Sequence, residues 1–462
     1  MKRLTGLILT LCVLLTAAGC SGDTESTTDS TSEASSQTTS AVTAESTSMT
    51  DATEQTERTA ENTTTANTAS EAPTDNVPAE KEIQILELNE RTTFEYRWSE
   101  DTAMPLVECE CTSVILGGED ADRFPALAAV LADEAAAGES SLKDEYEMFS
   151  EAVDEMLGIG MELQAPLVSK FDAQVRRADD VVLSVLTDCR YDNGMNGGHR
   201  SFWGSNYDTK TGKTLHLPDI VTDMDAFTQA VEDRLFGMMG KDIFYNDGII
   251  KEYFEMYGAD GTHWTIDYNG VTMYFDEGEI ADIGIGGMNV TITFAEHPEI
   301  FNEKYMAVSD DYIVSLPMKY MFYTDLDGDG SCEELIIYDR YDEDNDYSAT
   351  VDIYAADAHY SESFWAYNCE PYYVKATDGK HYLYLFTELE TQMYLYVYDI
   401  TGGTVIKVGE ASVSPFYNDG ISAVLTDPDR MHFDIFTDEA GGGVSEDNDV
   451  FAVGADGMPA QR

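Results

Sequence analysis

The amino-acid sequence predicts an exported protein of the α+β class, and three features of its 462 residues lead to this prediction. Some segments repeat apolar residues at helical spacing, whereas others alternate β-branched or aromatic residues with polar ones. The strand-like segments dominate after about residue 309. A short apolar run at the N-terminus is followed by a long Ser/Thr-rich stretch, so we expect the folded part to begin after residue 80.

Residues 1–19 have the pattern of a lipoprotein signal peptide. Lys2 and Arg3 precede an apolar run over residues 4–16, which is too short to span a bilayer as a permanent helix. Small residues then lead directly to Cys20, whose thiol would be acylated when the signal peptide is removed. We therefore expect the lipid on Cys20 to hold the chain in the bilayer, on the extracytoplasmic face of the cell membrane. The alternative is an ordinary signal peptide with an incidental cysteine.

Residues 20–80 are predicted to form a disordered stalk. Between positions 21 and 80 there are 27 Ser or Thr residues, 12 acidic residues and no aromatic residue. Such a segment cannot bury enough apolar surface to offset the conformational entropy that folding removes.

The chain is strongly acidic, with a formal net charge of −62. Every contact with a phosphate group would be repulsive, which excludes nucleic-acid binding as the function. The same charge would attract a cationic extracellular protein or a divalent metal ion. The alternative is that the acidity serves only solubility.

Residues 81–308 mix helical and strand patterns and form the first predicted folded domain. Gly138 separates two stretches of helical spacing, so two helices are expected there. The predicted elements are strands within 82–114, helices at about 122–136 and 141–156, strands within 164–190, a helix at about 223–239 and strands within 264–294.

Short motifs follow one another in this domain in a defined order. They are Gly197-Gly198-His199, Asn206-Tyr207-Asp208, Thr211-Gly212-Lys213, Leu215-x-Leu217-x-Asp219 and the run from Tyr274 to Ile280. Their order and spacing resemble the extracellular domain of RsiV-type anti-sigma factors, a domain also found beside wall-polysaccharide deacetylases. The resemblance covers about residues 90–306. It implies an α+β extracellular sensor or binding module, and a cationic lysozyme-like protein as the partner.

The candidate ligand-binding residues are Gly197, Gly198, His199 and Trp203. Two glycines permit a close backbone approach beside an imidazole, which suits a binding loop. The alternatives are a purely structural hairpin and a core position for Trp203. The family usually has an alanine before the histidine, which this chain lacks. No sigma-binding segment is expected before the domain and no deacetylase domain after it, so neither activity is carried over.

Residues 309–462 are rich in alternating aromatic residues and predict a mainly antiparallel β domain. Its sharpest motif places oxygen donors at regular spacing around a glycine turn, an arrangement that can wrap one Ca²⁺ ion. The motif resembles the calcium loop of FG-GAP-type strand repeats; an acidic turn without a metal is the alternative. The predicted calcium ligands are Asp325, Asp327, Asp329, Ser331 and Glu333.

No catalytic motif stands out in the sequence, which lacks G-x-S-x-G, H-E-x-x-H and C-x-x-C patterns. Five cysteines remain beyond Cys20, and we expect buried free thiols, with one disulfide between Cys111 and Cys189 as the alternative. The sequence therefore predicts a surface-displayed binding or sensor lipoprotein. The alternative function is an enzyme or enzyme accessory acting on cell-wall glycan, because a catalytic carboxylate pair could not be singled out among so many acids.

Overall fold

The computed structural model describes residues 83–99, 104–161, 163–194, 198–342, 345–389, 392–414, 421–435 and 450–462. The predicted signal peptide, Cys20, the stalk and Gly197 lie outside the described residues. Within the described part of the chain, no helix has the length and apolar character that a membrane span requires.

A seven-stranded sheet organises the first part of the fold. Strands β2 (Pro105–Leu116) and β3 (Leu167–Ala178) are parallel neighbours, and every other pair in this sheet is antiparallel. Parallel neighbours cannot be joined by a hairpin, so the chain crosses over between them through two helices. In sheet order the strands are β19 (Ile421–Val424), β1 (Leu88–Trp98), β2 (Pro105–Leu116), β3 (Leu167–Ala178), β4 (Val182–Asn193), β5 (Gly198–Asp208) and β6 (Lys213–Thr214), and the crossover helices are α1 (Asp120–Arg123) and α2 (Pro125–Gly158).

Helix α2 runs without interruption through Gly138, so the prediction of two separate helices was wrong. The helix packs on the face of β2 that carries Cys109 and Cys111, against which it buries Leu142 and Val153. A Cβ atom at position 138 would lie 3.0 Å from the Cys111 sulfur. This glycine therefore lets the helix approach the sheet closely rather than ending it.

A three-stranded antiparallel sheet and further short helices cover β4 and β5. The predicted helix at 223–239 is confirmed, and Asp223 caps it by accepting a hydrogen bond of 3.0 Å from the Ala226 amide. The Asn206 side chain donates to the Trp264 carbonyl at 3.0 Å and joins the two sheets. The elements are α3 (Leu217–Ile220), α4 (Met224–Met239), α5 (Ile249–Tyr257), β7 (His263–Ile266), β8 (Gly270–Phe275), β9 (Met288–Thr293) and α6 (Glu303–Met306).

The C-terminal part is built from antiparallel strands, as the aromatic alternation predicted. A six-stranded and a four-stranded sheet bury a shared core that includes Ile337, Val351, Tyr373 and Leu383. The six-stranded sheet contains β10 (Tyr312–Ser315), β15 (Asn368–Lys375), β16 (His381–Leu389), β17 (Gln392–Asp399), β18 (Ile406–Ser414) and β21 (Asp434–Ile435). The other strands are β11 (Phe322–Thr324), β12 (Glu333–Asp342), β13 (Asn345–Ala355) and β14 (Ala358–Trp365) in the four-stranded sheet, and β20 (Met431–His432), β22 (Val450–Val453) and β23 (Pro459–Gln461) in a small third sheet.

The described residues thus form a mixed fold of helices and mostly antiparallel strands, in agreement with the predicted α+β class. Contacts cross the predicted domain boundary between residues 308 and 309. The boundary itself stays a prediction. The buried Arg177 guanidinium pairs with Asp179 at 2.7 Å and donates to the Tyr305 carbonyl at 2.7 Å. Its neighbour Arg176 donates to the Ser315 carbonyl, beyond the boundary.

The described cysteines are all free. Cys109, Cys111, Cys189 and Cys369 are buried, and Cys332 is half-buried. The expectation of buried thiols is therefore confirmed for four of them, and the alternative Cys111–Cys189 disulfide is not formed.

Candidate functional site

A cleft of about 700 Å³ lies over the face of β1 to β4 that points away from helix α2. Side chains alternate between the two faces of a strand, so residues two apart in β1 point into the same space. The parallel pairing of β2 with β3 places Glu110 beside Lys170 on this face. The floor of the cleft is formed by Glu90, Thr92, Phe94, Tyr96, Glu110, Thr112, Lys170, Asp172, Gln174 and Arg190.

The opposite wall comes from the C-terminal part of the chain. Strands β15 and β16 pair so that Asn368 lies across from Glu388. The Asn368 amide nitrogen donates a hydrogen bond of 2.8 Å to the Glu370 carboxylate. Glu370 and Glu388 both line the cleft, together with Tyr367 and Tyr372.

The cleft contains five carboxylates but only two cationic side chains, and both cations are already paired. The Lys170 ammonium lies 3.4 Å from Glu108 and 3.7 Å from Glu110. The Arg190 guanidinium lies 2.8 Å from Asp188 and 3.8 Å from Asp172. Both cationic side chains of the cleft are therefore already paired with acidic side chains of β2, β3 and β4.

Three of the lining carboxylates have no ion-pair partner among the described residues: Glu90, Glu370 and Glu388. The Glu90 carboxylate accepts a hydrogen bond of 2.8 Å from the Ser422 hydroxyl of β19, which holds it in place. These three carboxyl groups therefore lie in the cleft without forming an ion pair within the described part of the chain.

Enclosure makes these acids unusually weak. Burial raises the pKa of Glu90 to about 7, with a further increase from the charge of Asp172. The Glu370 carboxyl is open to the cleft space but enclosed by its walls. This burial, with repulsion from Glu90, Glu388 and Asp172, raises its pKa to about 8.

The two other acids follow the same rule. Burial raises the pKa of Asp172 to about 6, although Arg190 opposes the increase. Burial also raises the pKa of Glu388, and the charge of Glu110 adds to it. Near neutral pH the cleft therefore holds carboxyl groups that can exchange protons or accept a cation.

The predicted ligand-binding residues of β5 do not line this cleft. Gly198 and His199 are exposed at the start of β5, where His199 lies across from Tyr191 in the hairpin with β4. Trp203 is 40% exposed, and its ring stacks parallel to that of His263 at 6.5 Å. His199 and Trp203 are four strand residues apart, about 13 Å, so these two side chains do not form one compact group. Their role in binding stays a prediction.

The predicted calcium loop connects β11 and β12. Ligand atoms of Asp325, Asp327 and Glu333 all lie within 4.8 Å of one another. The Asp325 carboxylate also accepts backbone hydrogen bonds, including one of 2.7 Å from Gly328. The Asp329 carboxylate instead accepts a hydrogen bond of 2.7 Å from the Ser331 amide. Three of the five predicted ligands are therefore close together, and their hard oxygen donors suit Ca²⁺.

Sequence reasoning missed the carboxylates of the cleft. Glu90, Asp172, Glu370 and Glu388 lie on four different strands, and the chain contains 88 acidic residues. One local signal was available at Glu370, which interrupts the apolar stretch Cys-Glu-Pro-Tyr-Tyr. An isolated acid in such a strand indicates a polar environment at that position.

The fold and the cleft together define an α+β protein with an acidic cleft. No family model matches the chain, and no curated protein matches it. Two solved structures are similar. One is a DUF3298-family protein from Bacteroides fragilis, with 12% sequence identity and a TM-score of 0.35, covering 48% of this chain and 96% of that one. The other is a DUF3298-family protein from Pseudomonas aeruginosa, with 16% identity and a TM-score of 0.34, covering 48% and 97%. RsiV-type domains belong to the same DUF3298 family. Similarity at this level says nothing about function.

Proposed function

We propose that this protein is a cell-surface lipoprotein that binds a cationic extracellular ligand in its acidic cleft. One observation supports the proposal above all: Glu90, Glu370 and Glu388 line the cleft without an ion-pair partner among the described residues. An ammonium or guanidinium group of a ligand would supply the missing positive charge. Such an interaction is stronger in an enclosed cleft than in bulk water.

The overall charge and the cleft would contribute differently to binding. The net charge of −62 speeds the encounter with a basic ligand but is screened beyond about 8 Å at physiological salt. Short-range contacts in the cleft would supply specificity. Binding should therefore persist at physiological salt, whereas a purely electrostatic attraction would not.

The resemblance to RsiV-type domains suggests one source of the cationic group, a lysozyme-like protein that inserts a Lys or Arg side chain. The test is calorimetry of the full chain with lysozyme at low salt and at about 0.15 M salt. Glu90→Gln with Glu370→Gln should weaken binding by about tenfold or more, because two charged contacts are lost. Glu147→Gln with Glu277→Gln removes the same charge from exposed positions outside the cleft and should leave binding unchanged.

Other results would contradict this proposal in distinct ways. Binding that disappears at physiological salt in every variant would show only nonspecific attraction. Binding that survives the cleft substitutions but is lost in His199→Ala or Trp203→Ala would move the site to β5, where the sequence first suggested it.

A second candidate function is an enzyme or enzyme accessory acting on cell-wall glycan. The raised pKa values of Glu90 and Glu370 favour it, because a carboxyl that stays protonated near pH 7 can serve as a general acid. The test is release of reducing ends from purified cell wall by the wild type and by Glu370→Gln. Wall binding without any release would exclude the enzyme and leave the accessory.

The proposed location depends on Cys20. We expect Cys20→Ala to yield an unprocessed or released protein, because the acylated thiol would hold the processed chain on the membrane. Fractionation of cells with and without the substitution tests this. A variant that matures to the same mass in the membrane fraction would contradict lipid anchoring.

We also propose that Asp325, Asp327 and Glu333 bind one Ca²⁺ ion. The closeness of their oxygen atoms supports this, as does the positive φ of 78° at Gly328, which lets the loop turn sharply. The ion would fix the connection between β11 and β12 and have a structural role.

A further inference from the structure

An aromatic strip leads outward from the acidic cleft along β1. It consists of Phe94, Tyr96 and Trp98, which occupy alternate positions and therefore share one face of the strand. The ring centroids are 5.7 Å apart between Phe94 and Tyr96 and 6.3 Å apart between Tyr96 and Trp98. Phe94 and Tyr96 also line the cleft, so the strip and the cleft form one continuous surface.

The three rings of the strip are exposed to an extent that is unusual for large apolar groups. Phe94 is 61% exposed, Tyr96 37% and Trp98 57%. Single exposed aromatic residues are common on protein surfaces, but a contiguous row of them beside a cleft is typical of a binding surface. The aromatic strip is therefore available to a ligand that also enters the cleft.

The cleft contains neutral hydrogen-bonding groups in addition to its acids. Thr92, Thr112, Gln174 and Asn368 all line it. The Gln174 carbonyl oxygen has no hydrogen-bond partner among the described residues. The Thr92 and Thr112 hydroxyls are 3.1 Å apart and bond to each other across β1 and β2. Charge alone would select any cation, whereas these neutral groups suit a ligand that carries hydroxyl groups as well.

The size of the cleft limits what can enter. Its volume of about 700 Å³ is in the range of small-ligand sites, so a short oligomer fits and a folded protein could insert only side chains. A suitable ligand must combine positive charge, hydroxyl groups and flat faces with exposed C–H groups. The negative face of an aromatic ring attracts both cations and weakly polarised C–H groups.

We propose that the cleft and the aromatic strip together bind an oligomer of an amino sugar. Its ammonium groups pair with Glu90, Glu370 and Glu388, its hydroxyl groups bond to the neutral side chains, and its ring faces stack on the aromatic strip. This inference rests on the proposed function, capture of a cationic ligand in the cleft, and adds the chemical class of that ligand.

The test is calorimetry of the full chain at physiological salt with three probes. These are a hexamer of glucosamine, a hexamer of N-acetylglucosamine and hexalysine. The first carries sugar rings and charge, the second rings without charge and the third charge without rings. We expect the glucosamine hexamer to bind about tenfold more tightly than either of the others, because only it uses both halves of the site.

Two variants separate the halves of the site. Phe94→Ala with Trp98→Ala should weaken the glucosamine hexamer by about tenfold, since two stacking contacts are lost, and should weaken hexalysine less, because hexalysine has no ring faces to stack. Trp365→Ala is the matched control, because Trp365 is 66% exposed on β14 and does not line the cleft. An unchanged melting temperature shows that each variant folds.

The possible failures are distinguishable. If hexalysine binds as tightly as the glucosamine hexamer, and the aromatic substitutions have no effect, the amino-sugar inference is wrong and the proposed cationic site stands. If the N-acetylated hexamer binds as tightly as the charged one, the ammonium group is not recognised and both proposals are wrong. If none of the three binds, the amino-sugar inference is wrong, and the calorimetry with lysozyme decides the proposed function separately.

Discussion

Glu370 shows how a single side chain acquires its chemistry from elements far apart in the sequence. Its carboxyl accepts a hydrogen bond from Asn368 on the same strand, whereas the charges that raise its pKa belong to Glu90, Glu388 and Asp172 on three other strands. Replacing any of these neighbours would change its titration without touching its backbone. The behaviour of this residue is therefore a property of the assembled cleft.

The raised pKa values predict how stability depends on pH. Glu90 and Glu370 have pKa values of about 7 and about 8 in the folded protein, against 4.5 when they are unperturbed. The folded state holds these protons longer than the unfolded state. Their contribution is therefore fully present below pH 4.5 and is lost as the pH rises through 7 and 8.

We expect the free energy of unfolding of the wild type to fall between roughly pH 5 and pH 8. The fall should be smaller in Glu90→Gln with Glu370→Gln. Urea denaturation at roughly pH 5 and pH 8 measures both proteins. General repulsion in so acidic a chain also grows with pH. The Glu147→Gln with Glu277→Gln variant controls for it and should behave as the wild type does. Equal slopes in all three proteins would contradict the raised pKa values.

At the scale of single elements, two glycines predict opposite effects of the same substitution. A Cβ atom at Gly204 in β5 would lie 1.7 Å from the Trp264 carbonyl oxygen, whereas one at Gly237 in α4 would meet nothing within 4 Å. Gly204→Ala should reduce the free energy of unfolding by at least about 3 kcal/mol, because β5 and β7 would have to separate. Gly237→Ala should raise it by about 0.5–1 kcal/mol, because alanine restricts the unfolded chain. Urea denaturation of both variants tests the pair, and a destabilised Gly237→Ala would show that the helix is not freely exposed there.

The β11–β12 loop predicts an effect of calcium on stability. A ligand that binds only the folded state, present at about 100 times its dissociation constant, adds ~2.7 kcal/mol. Ca²⁺ should therefore raise the melting temperature of the wild type but not of Asp325→Ala with Asp327→Ala.

The control for the calcium experiment removes the same charge elsewhere. Asp282→Ala with Asp357→Ala changes two exposed acids outside the loop. This variant should keep the full calcium response. An equal rise in all three proteins would reveal general charge screening by the ion and remove the site.

The sequence predicted individual elements better than their arrangement. The helix at about 223–239 and the strands within 264–294 follow from local sequence patterns, and the structure confirms both. Gly138 was misread because its role depends on Cys111, a contact between helix and sheet that no local pattern reveals. The cleft was invisible for the same reason: its floor and its opposite wall come from segments separated by about half the chain.

On the scale of the whole molecule, Arg177 holds β3 against the segment that leads up to residue 308. Its guanidinium is fully buried and is held by Asp179, by the Tyr305 carbonyl at 2.7 Å and by the Ala307 carbonyl at 2.8 Å. Arg177→Ala should lower the free energy of unfolding by about 3–5 kcal/mol, because the buried Asp179 charge loses its partner.

Urea denaturation measures this loss, and Lys251→Ala on the exposed side of α5 serves as the control. That substitution should change stability by less than about 0.5 kcal/mol, since the Lys251 side chain is 74% exposed. A similarly small effect at Arg177 would mean that the segment containing Tyr305 and Ala307 is held against β3 without it.

The pairing of β19 with β1 has a consequence for the order in which the protein is completed. Leu88 pairs with Val424, and the hydrogen bond from Ser422 to Glu90 joins residues 332 positions apart. Strand β1 is synthesised early and β19 late, so their sheet cannot be completed until most of the chain has been made. Pairing between segments so far apart in the sequence slows folding. Until then β1 presents an unpaired edge from Leu88 to Arg91, the type of surface on which chains aggregate. A ribosome or export channel that releases the chain from its N-terminus onward thus delivers β1 long before the residues that complete its sheet.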